Sequence, residues 1–175
     1  RSEEKYRMLA ENTGDWVYWM GPDGNLLYVS PSCERITGYN AAEFYANPGL
    51  ISDIIEPESK QQFLFHRNAC LNTTDFYSID FKISTKSGGK KWLNHSCAPV
   101  FGTKGKMEGR RTTNRDITQL KLVQDELADS EKRYRDLFNS NPTPMWVYDL
   151  ETLKFLEVNK TAELNYGYSR EEFLK

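Results

Sequence analysis

The sequence predicts an α+β fold: one five-stranded antiparallel sheet with helices gathered on one face, then a connecting helix and a truncated second unit of the same kind. Three observations predict it. Two short runs of strand formers open the chain, a helical middle follows, and three longer strand-like runs close the first unit, an order that places all strands in one sheet. Tyr77, Ile79, Phe81 and Ile83 alternate with Ser78, Asp80, Lys82 and Ser84, the period-two pattern of a half-buried antiparallel strand. The pattern then starts again: Ser2-Glu3-Glu4-Lys5-Tyr6-Arg7-Met8-Leu9 returns as Ser130-Glu131-Lys132-Arg133-Tyr134-Arg135-Asp136-Leu137, and Gly38-Tyr39 with Glu43-Phe44 returns as Gly167-Tyr168 with Glu172-Phe173. Such self-similarity marks a repeated structural unit.

Ser2 through Asn12 reads as a short amphipathic helix with Tyr6 and Leu9 on one face, marginal alone and in need of a surface to pack on. Trp16-Val17-Tyr18-Trp19-Met20 is rich in strand formers. Pro22-Asp23-Gly24-Asn25 turns the chain, and Leu26 to Val29 completes a hairpin. Ser30 is expected to cap a helix with Pro31 at its first position, and Gly38 to end it in the left-handed conformation. Ala41 to Tyr45 forms a further short helix, and Pro57 begins a longer one that runs to about Leu71. Ser87-Gly88-Gly89 and Thr103-Lys104-Gly105 separate strands at Lys91–Val100 and Met107–Ile117. The last of these is unusually polar.

Thr118 can cap the helix that follows. Along it Leu120, Val123, Leu127, Ser130, Tyr134 and Leu137 fall at alternating spacings of three and four. This a/d seam spans under three heptads. Two readings stay open: a helix lying on its own domain, and a parallel coiled coil between two chains. The expected organisation is one domain over 1–118, a connecting helix over 119–137, and the first half of a second domain over 138–175. The second copy stops mid-pattern, so the chain is expected to be part of a longer protein. Its hairpin and helices would lack their partner strands and either stay disordered or pair with another chain.

The 175-residue chain carries a formal net charge of −2 and no long basic run, which argues against nucleic acid or an anionic membrane as partner. No apolar stretch approaches the length of a membrane span, and no signal peptide opens the sequence. Cys33, Cys70 and Cys97 have no framework spacing and are expected to be reduced thiols in a cytoplasmic protein, with any membrane anchor outside this sequence. Three N-x-Ser/Thr triplets at Asn72, Asn94 and Asn159 are given no weight without a secretion signal.

Taken together, a set of short motifs is specific. Glu11-Asn12, Asp15, Pro22-Asp23-Gly24, Val29-Ser30-Pro31-Ser32 and Ile36-Thr37-Gly38-Tyr39 are followed in order by Lys86-Ser87-Gly88-Gly89-Lys90-Lys91-Trp92, Pro99-Val100 and Arg115-Asp116-Ile117-Thr118. This resembles a PAS domain with its C-terminal (PAC) motif, found in tandem in prokaryotic sensor histidine kinases and related signalling proteins. Asn141 through Asp149 and Tyr166 through Phe173 are similar to the front half of a second PAS domain. The resemblance implies a sensory or scaffolding role in a two-component-type protein, with adjoining PAS and kinase domains. It also implies homodimerisation through the N-terminal and connecting helices. A small pocket would lie between the sheet and the middle helices, lined by Phe63, Tyr77, Ile79, Phe81, Leu93, His95, Cys97, Arg111 and Thr113. Output would leave through Asp116, Ile117 and Thr118, where a shift of the last strand passes into a stiff helix. Asp116 would accept from helix-start amides or pair with an arginine.

No cofactor is expected. Flavin-binding relatives carry a reactive cysteine in an asparagine-cysteine-arginine run, whereas Arg67-Asn68-Ala69-Cys70 differs in order and place. Haem-binding relatives use a histidine on the longer helix; His66 falls closer to the following turn and at the border of the apolar arc, where a partly exposed histidine is the preferred reading. His66 and Cys70, at i and i+4, and His95 and Cys97, at i and i+2, form a zinc-compatible set if the two pairs face each other. Packing as ordinary core residues is preferred. Arg110, Arg111, Thr112, Thr113 and Asn114 place polar groups on both faces of the last strand. An inward Arg110 or Arg111 would need a carboxylate or a small anionic ligand beside it, though a polar surface facing solvent or a dimer partner is the preferred reading. No phosphate-cradling loop, nucleophile elbow or metalloprotease helix is present, so no enzyme is expected.

Overall fold

The computed structural model describes residues 14–72, 75–102 and 105–175. The expected helix over Ser2–Asn12 lies outside them, as do Thr103 and Lys104 of one turn. The chain forms two compact units, divided after Lys121.

In the first unit β1 (Trp16–Met20) and β2 (Leu26–Val29) form the opening hairpin, with Tyr18 opposite Val29. Four helices follow: α1 (Ser32–Thr37), α2 (Ala41–Ala46), α3 (Leu50–Asp53) and α4 (Pro57–Asn72). Then come β3 (Tyr77–Ser84), β4 (Lys90–Phe101) and β5 (Met107–Asp116). The sheet is antiparallel in the order β2-β1-β5-β4-β3. The last strand in sequence thus becomes the central one, between the hairpin and the β3–β4 pair. This is the five-stranded sheet with helices that the sequence predicts.

Local chemistry explains most boundaries, with one correction. Ser30 does not cap α1. Its hydroxyl accepts from the Val17 amide at 2.8 Å while its own amide donates to the Val17 carbonyl at 2.7 Å, so Ser30 ties the end of β2 to β1. α1 then begins after Pro31 with no side-chain cap. At its other end Gly38 takes φ 82° and donates to Glu34 O at 2.7 Å, the left-handed stop that glycine permits. α2 has a full capping box between Asn40 and Glu43. α3 is a single turn that the sequence did not announce. Beyond it, Glu56 N donates to Lys82 O and Ser84 N donates to Ile54 O, which covers the free edge of β3.

The core lies between the helices and one face of the sheet. Trp16, Phe44, Phe81, Ile83 and Leu93 are its largest fully buried apolar side chains, and Trp16 packs on Phe44 at 4.9 Å between ring centroids. Each such side chain contributes roughly 1.5–3 kcal/mol by leaving water.

The second unit contains most of α5 (Thr118–Ser140), a hairpin of β6 (Trp146–Tyr148) and β7 (Phe155–Val158), and two short helices, α6 (Lys160–Tyr166) and α7 (Arg170–Phe173). Its organising residue is Asn159, fully buried. The Asn159 amide oxygen accepts from Met145 N and Ala162 N, both at 2.9 Å, and its amide nitrogen donates to Phe138 O and Thr143 O. Asn159 follows β7 as Ser30 follows β2: Ser30 pins its hairpin's end to Val17 of β1, and Asn159 pins its own to Met145, just before β6.

Candidate functional site

The site is built where α4 lies over the sheet. A cavity of about 90 Å³ is walled by Tyr18 of β1, Phe63, His66 and Cys70 of α4, His95 and Cys97 of β4, and Arg110 and Thr112 of β5, with Ile51 of α3 among the residues closing it. Of the residues expected there, Phe63, His95 and Cys97 line it. Phe81 and Leu93 are buried in the adjoining core, and Ile79 packs against that core. Tyr77 meets His66 edge-on at 6.0 Å without reaching the cavity wall.

Arg111 and Thr113 point the other way, and this corrects the expectation. Residues directly opposite on antiparallel strands share a face. Cys97 pairs with Thr112 and His95 with Asn114, while Tyr18 pairs with Thr112 and Trp16 with Asn114. The inward face of β5 is therefore Arg110, Thr112 and Asn114, all buried. Gly109 precedes this run at φ 135°, and a Cβ there would come within 2.2 Å of Met20 O. Only glycine lets β5 lie this close to β1 at that point.

Among the described residues, the groups that meet the inward Arg110 are carbonyls and a sulfur. Its Nη1 donates to Cys70 O at 3.0 Å, its Nη2 to Asp75 O at 2.7 Å, and its Nε to Cys97 Sγ at 3.0 Å. The buried cation sits against the C-terminal turn of α4, where carbonyls and the helix dipole stabilise positive charge.

His66 is also corrected. It is 4% exposed, not partly exposed at a border. Burial, and then the nearby Arg110 guanidinium, hold its imidazole below the usual pKa range. Burial pushes His95 further, to about 4, offset in part by a hydrogen bond to Asn114. Asn114 Nδ2 donates to Trp16 O at 3.2 Å, which turns Asn114 Oδ1 toward His95 Nδ1 at 2.8 Å. The neutral His95 must then carry its proton on Nδ1 and leave Nε2 as the basic nitrogen. Burial, reinforced by Cys97 beside it, pushes the Cys70 thiol up to about 12. Burial likewise raises the Tyr18 phenol well above its ordinary value.

At the far end of β5 the strand passes into α5. Asp116 Oδ1 accepts from the Thr118 amide at 3.0 Å and the Thr118 hydroxyl at 2.6 Å, and Asp116 pairs with Lys91 at 3.0 Å. Lysine, not arginine, is thus its cation, since Arg115 pairs with Asp15. Burial alone would raise the Asp116 carboxyl. Thr118 and Lys91 outweigh it and keep the group below its ordinary value. Ile117 N donates to Trp92 O, and Trp92 N donates to Thr118 Oγ1 at 3.0 Å. Lys121, one turn on, pairs with Asp80 of β3 at 2.8 Å. The first turn of α5 is thereby tied to β3, β4 and β5. Sequence reasoning missed Lys91, Trp92 and Lys121 here because the first two sit on another strand.

The cavity does not fit flavin or haem. Pockets for ligands of drug size begin at roughly 300 Å³, and Cys70 is turned toward Cys97 and Arg110.

Comparison with known proteins agrees with this architecture. Residues 26–114 match the PAS fold family, and residues 132–174 match a PAS domain family. The blue light receptor lreA of Aspergillus flavus is 30% identical over 100 residues, 57% of this chain and 11% of that receptor. The aligned stretches cover 11%, 15% and 17% of three curated relatives, so the chain corresponds to a small part of each. The crystal structure of a sensory box histidine kinase/response regulator from Burkholderia thailandensis superposes with a TM-score of 0.59 at 20% identity, covering 76% of this chain and 99% of that one. A domain of the putative light and redox sensing histidine kinase of Haloarcula marismortui gives 0.52 at 20% identity, covering 66% and 99%. Likeness at this identity speaks to fold. With the sheet order, the helical middle and the matched segments in agreement, the chain belongs to the PAS family.

Proposed function

We propose that the first unit is the sensory module of a multidomain signalling protein, and that it couples occupancy of the α4–sheet cavity to the start of α5. One observation carries the reading. β5 supplies Arg110 and Thr112 to the cavity wall, and the same strand ends in the Asp116–Thr118 contacts that hold the first turn of α5. A ligand that displaces β5 therefore acts on the helix through a short, hydrogen-bonded path. The module itself binds and transmits, and the parent chain is a cytoplasmic-facing histidine kinase of two-component type. The domain plan is 1–118, 119–137 and 138–175. The unpaired thiols Cys33, Cys70 and Cys97 support a reducing compartment. Among the described residues no helix is long and apolar enough to cross a membrane.

Light sensing is not carried over from the receptors of Aspergillus flavus, because the cavity is too small for a flavin ring system. A second reading has its own support. Leu120, Val123, Leu127, Tyr134 and Leu137 of α5 are all more than half exposed, a seam suited to pairing with a second copy of this chain. In that reading the module is a constitutive dimerising spacer.

A double-mutant cycle separates the two. Thr112→Leu fills the cavity wall and Thr118→Ala releases the start of α5. For a transmitting module the two stability effects couple by about 0.5 kcal/mol or more, although such distant sites ordinarily add. Strict additivity, together with a dimer that is lost when Leu127→Lys is introduced, supports the spacer.

A further inference from the structure

We propose that Cys70, Cys97 and His66 form a buried binding site for a monovalent thiophilic d10 metal ion, Cu+, opening onto the cavity. The inference rests on reading that cavity as the sensory site and names its ligand.

One donor atom from each of the three residues lies within 4.8 Å of the other two, and all three residues are buried. Cys70 Sγ and His66 Nε2, one helical turn apart, are separated by 3.4 Å. Thiolate and imidazole ligands bound at about 2.3 and 2.0 Å stand roughly 3.5–4 Å from one another around a metal. The three groups can thus converge on one ion with small side-chain adjustments. They come from α4 and β4, two elements held together by the core, so the site does not depend on a loop. The four-residue set suggested by the sequence resolves into three converging donors and a neighbour. The His95 ring stands 4.9 Å from that of His66, and its Nδ1 is already committed to Asn114.

Charge selects the ion. Arg110 Nε donates to Cys97 Sγ at 3.0 Å, so a permanent cation already sits in the ligand shell. Among the described groups, two thiolates, the Arg110 guanidinium and one monovalent cation sum to zero, and Arg67, which also lines the cavity, adds further positive charge. A divalent ion would leave a net positive charge in a buried site, which is costly without a further anion. Soft sulfur ligands with one imidazole, in a three-coordinate set, are also what Cu+ accepts readily. Cysteine ligates such an ion as the thiolate, so any proton a thiol carries passes to solvent on binding, with no change of oxidation state.

The test uses the full 175-residue chain, reduced with a phosphine under anaerobic conditions and titrated with Cu+ held by a chromogenic chelator of known affinity. The expected result is one Cu+ per chain and an X-ray absorption spectrum with two sulfur neighbours and one nitrogen. Cys33→Ser should leave binding unchanged. Cys70→Ser and Cys97→Ser should each weaken it by at least about 100-fold, and His66→Gln by at least about 10-fold, the range over which metal sites respond even to outer-sphere changes. Zn2+ in tenfold excess should not displace the ion. Failure of the wild type to compete with the chelator overturns the proposal. So does retention of Cu+ by the Cys70→Ser/Cys97→Ser double variant, a spectrum without two sulfurs, or displacement by Zn2+. The spectrum of the wild type decides the matter even if a serine variant misfolds. Lack of Cu+ binding with Thr112–Thr118 coupling intact removes the metal and keeps the sensory reading; bound Cu+ without that coupling does the reverse.

Discussion

At the scale of single residues, the inner face of β5 sets the character of the site. His95 is buried neutral with a pKa near 4, against about 6.5 in the unfolded chain. The unfolded state therefore takes up the proton first as pH falls. Stability is fully present above about pH 6.5 and is lost as pH drops toward 4, by about 3 kcal/mol at most. Urea unfolding of His95→Gln should show a flatter pH dependence in that window, with a residual slope from His66, whose pKa is depressed in the same sense. An unchanged slope would contradict the assignment. Arg110→Met should cost about 2–3 kcal/mol, because the carbonyls of Cys70 and Asp75 lose a buried donor; Arg111→Met, on the exposed face, should cost under about 0.5 kcal/mol. This pair also marks a limit of the sequence. Polar residues occupy both faces of β5, so alternation could not say which parity faces inward. Pairing with β1 and β4 decides it, and that information is non-local.

At the scale of elements, the junction between β5 and α5 is the feature with functional weight. Asp116→Ala removes both acceptor bonds to Thr118 and the pair with Lys91, and should cost about 1–2 kcal/mol, the range for loss of a helix cap. Hydrogen exchange should show the loss first in the opening turn of α5. Elements were the most legible level. The alternating strand, the Gly38 stop and the proline-initiated α4 each follow from local chemistry. α3 was not legible, since a four-residue turn has no periodicity to read. Nor was the role of Ser30, whose hydroxyl has two valid partners in sequence and chooses the backbone of β1 because the hairpin brings it there.

At the scale of the whole molecule, the repeat is carried by different side chains doing the same work. Ser30 and Asn159 both fasten a hairpin's end, and a sequence comparison scores them as a mismatch. Asn159→Ala, which frees buried groups at Met145, Thr143 and Phe138, should lower the stability of the second unit by about 2–4 kcal/mol and leave exchange within the first sheet unchanged. The family was legible because its motifs lie at turns and caps, where backbone geometry restricts residue choice. The cavity's chemistry was not, because His66, Cys70, Cys97 and Arg110 meet only once α4 has docked on the sheet. In the proposed mechanism this cavity and the start of α5 are mechanically linked through β5. Hydrogen exchange at the amides of residues 118–121, compared between the wild-type chain and Thr112→Leu, tests it most directly. A mechanical link through β5 changes protection there by about tenfold or more, equivalent to about 1.4 kcal/mol, and leaves α6 and α7 unaffected. Identical protection in the two proteins, with Thr112→Leu folded and its cavity filled, would contradict it.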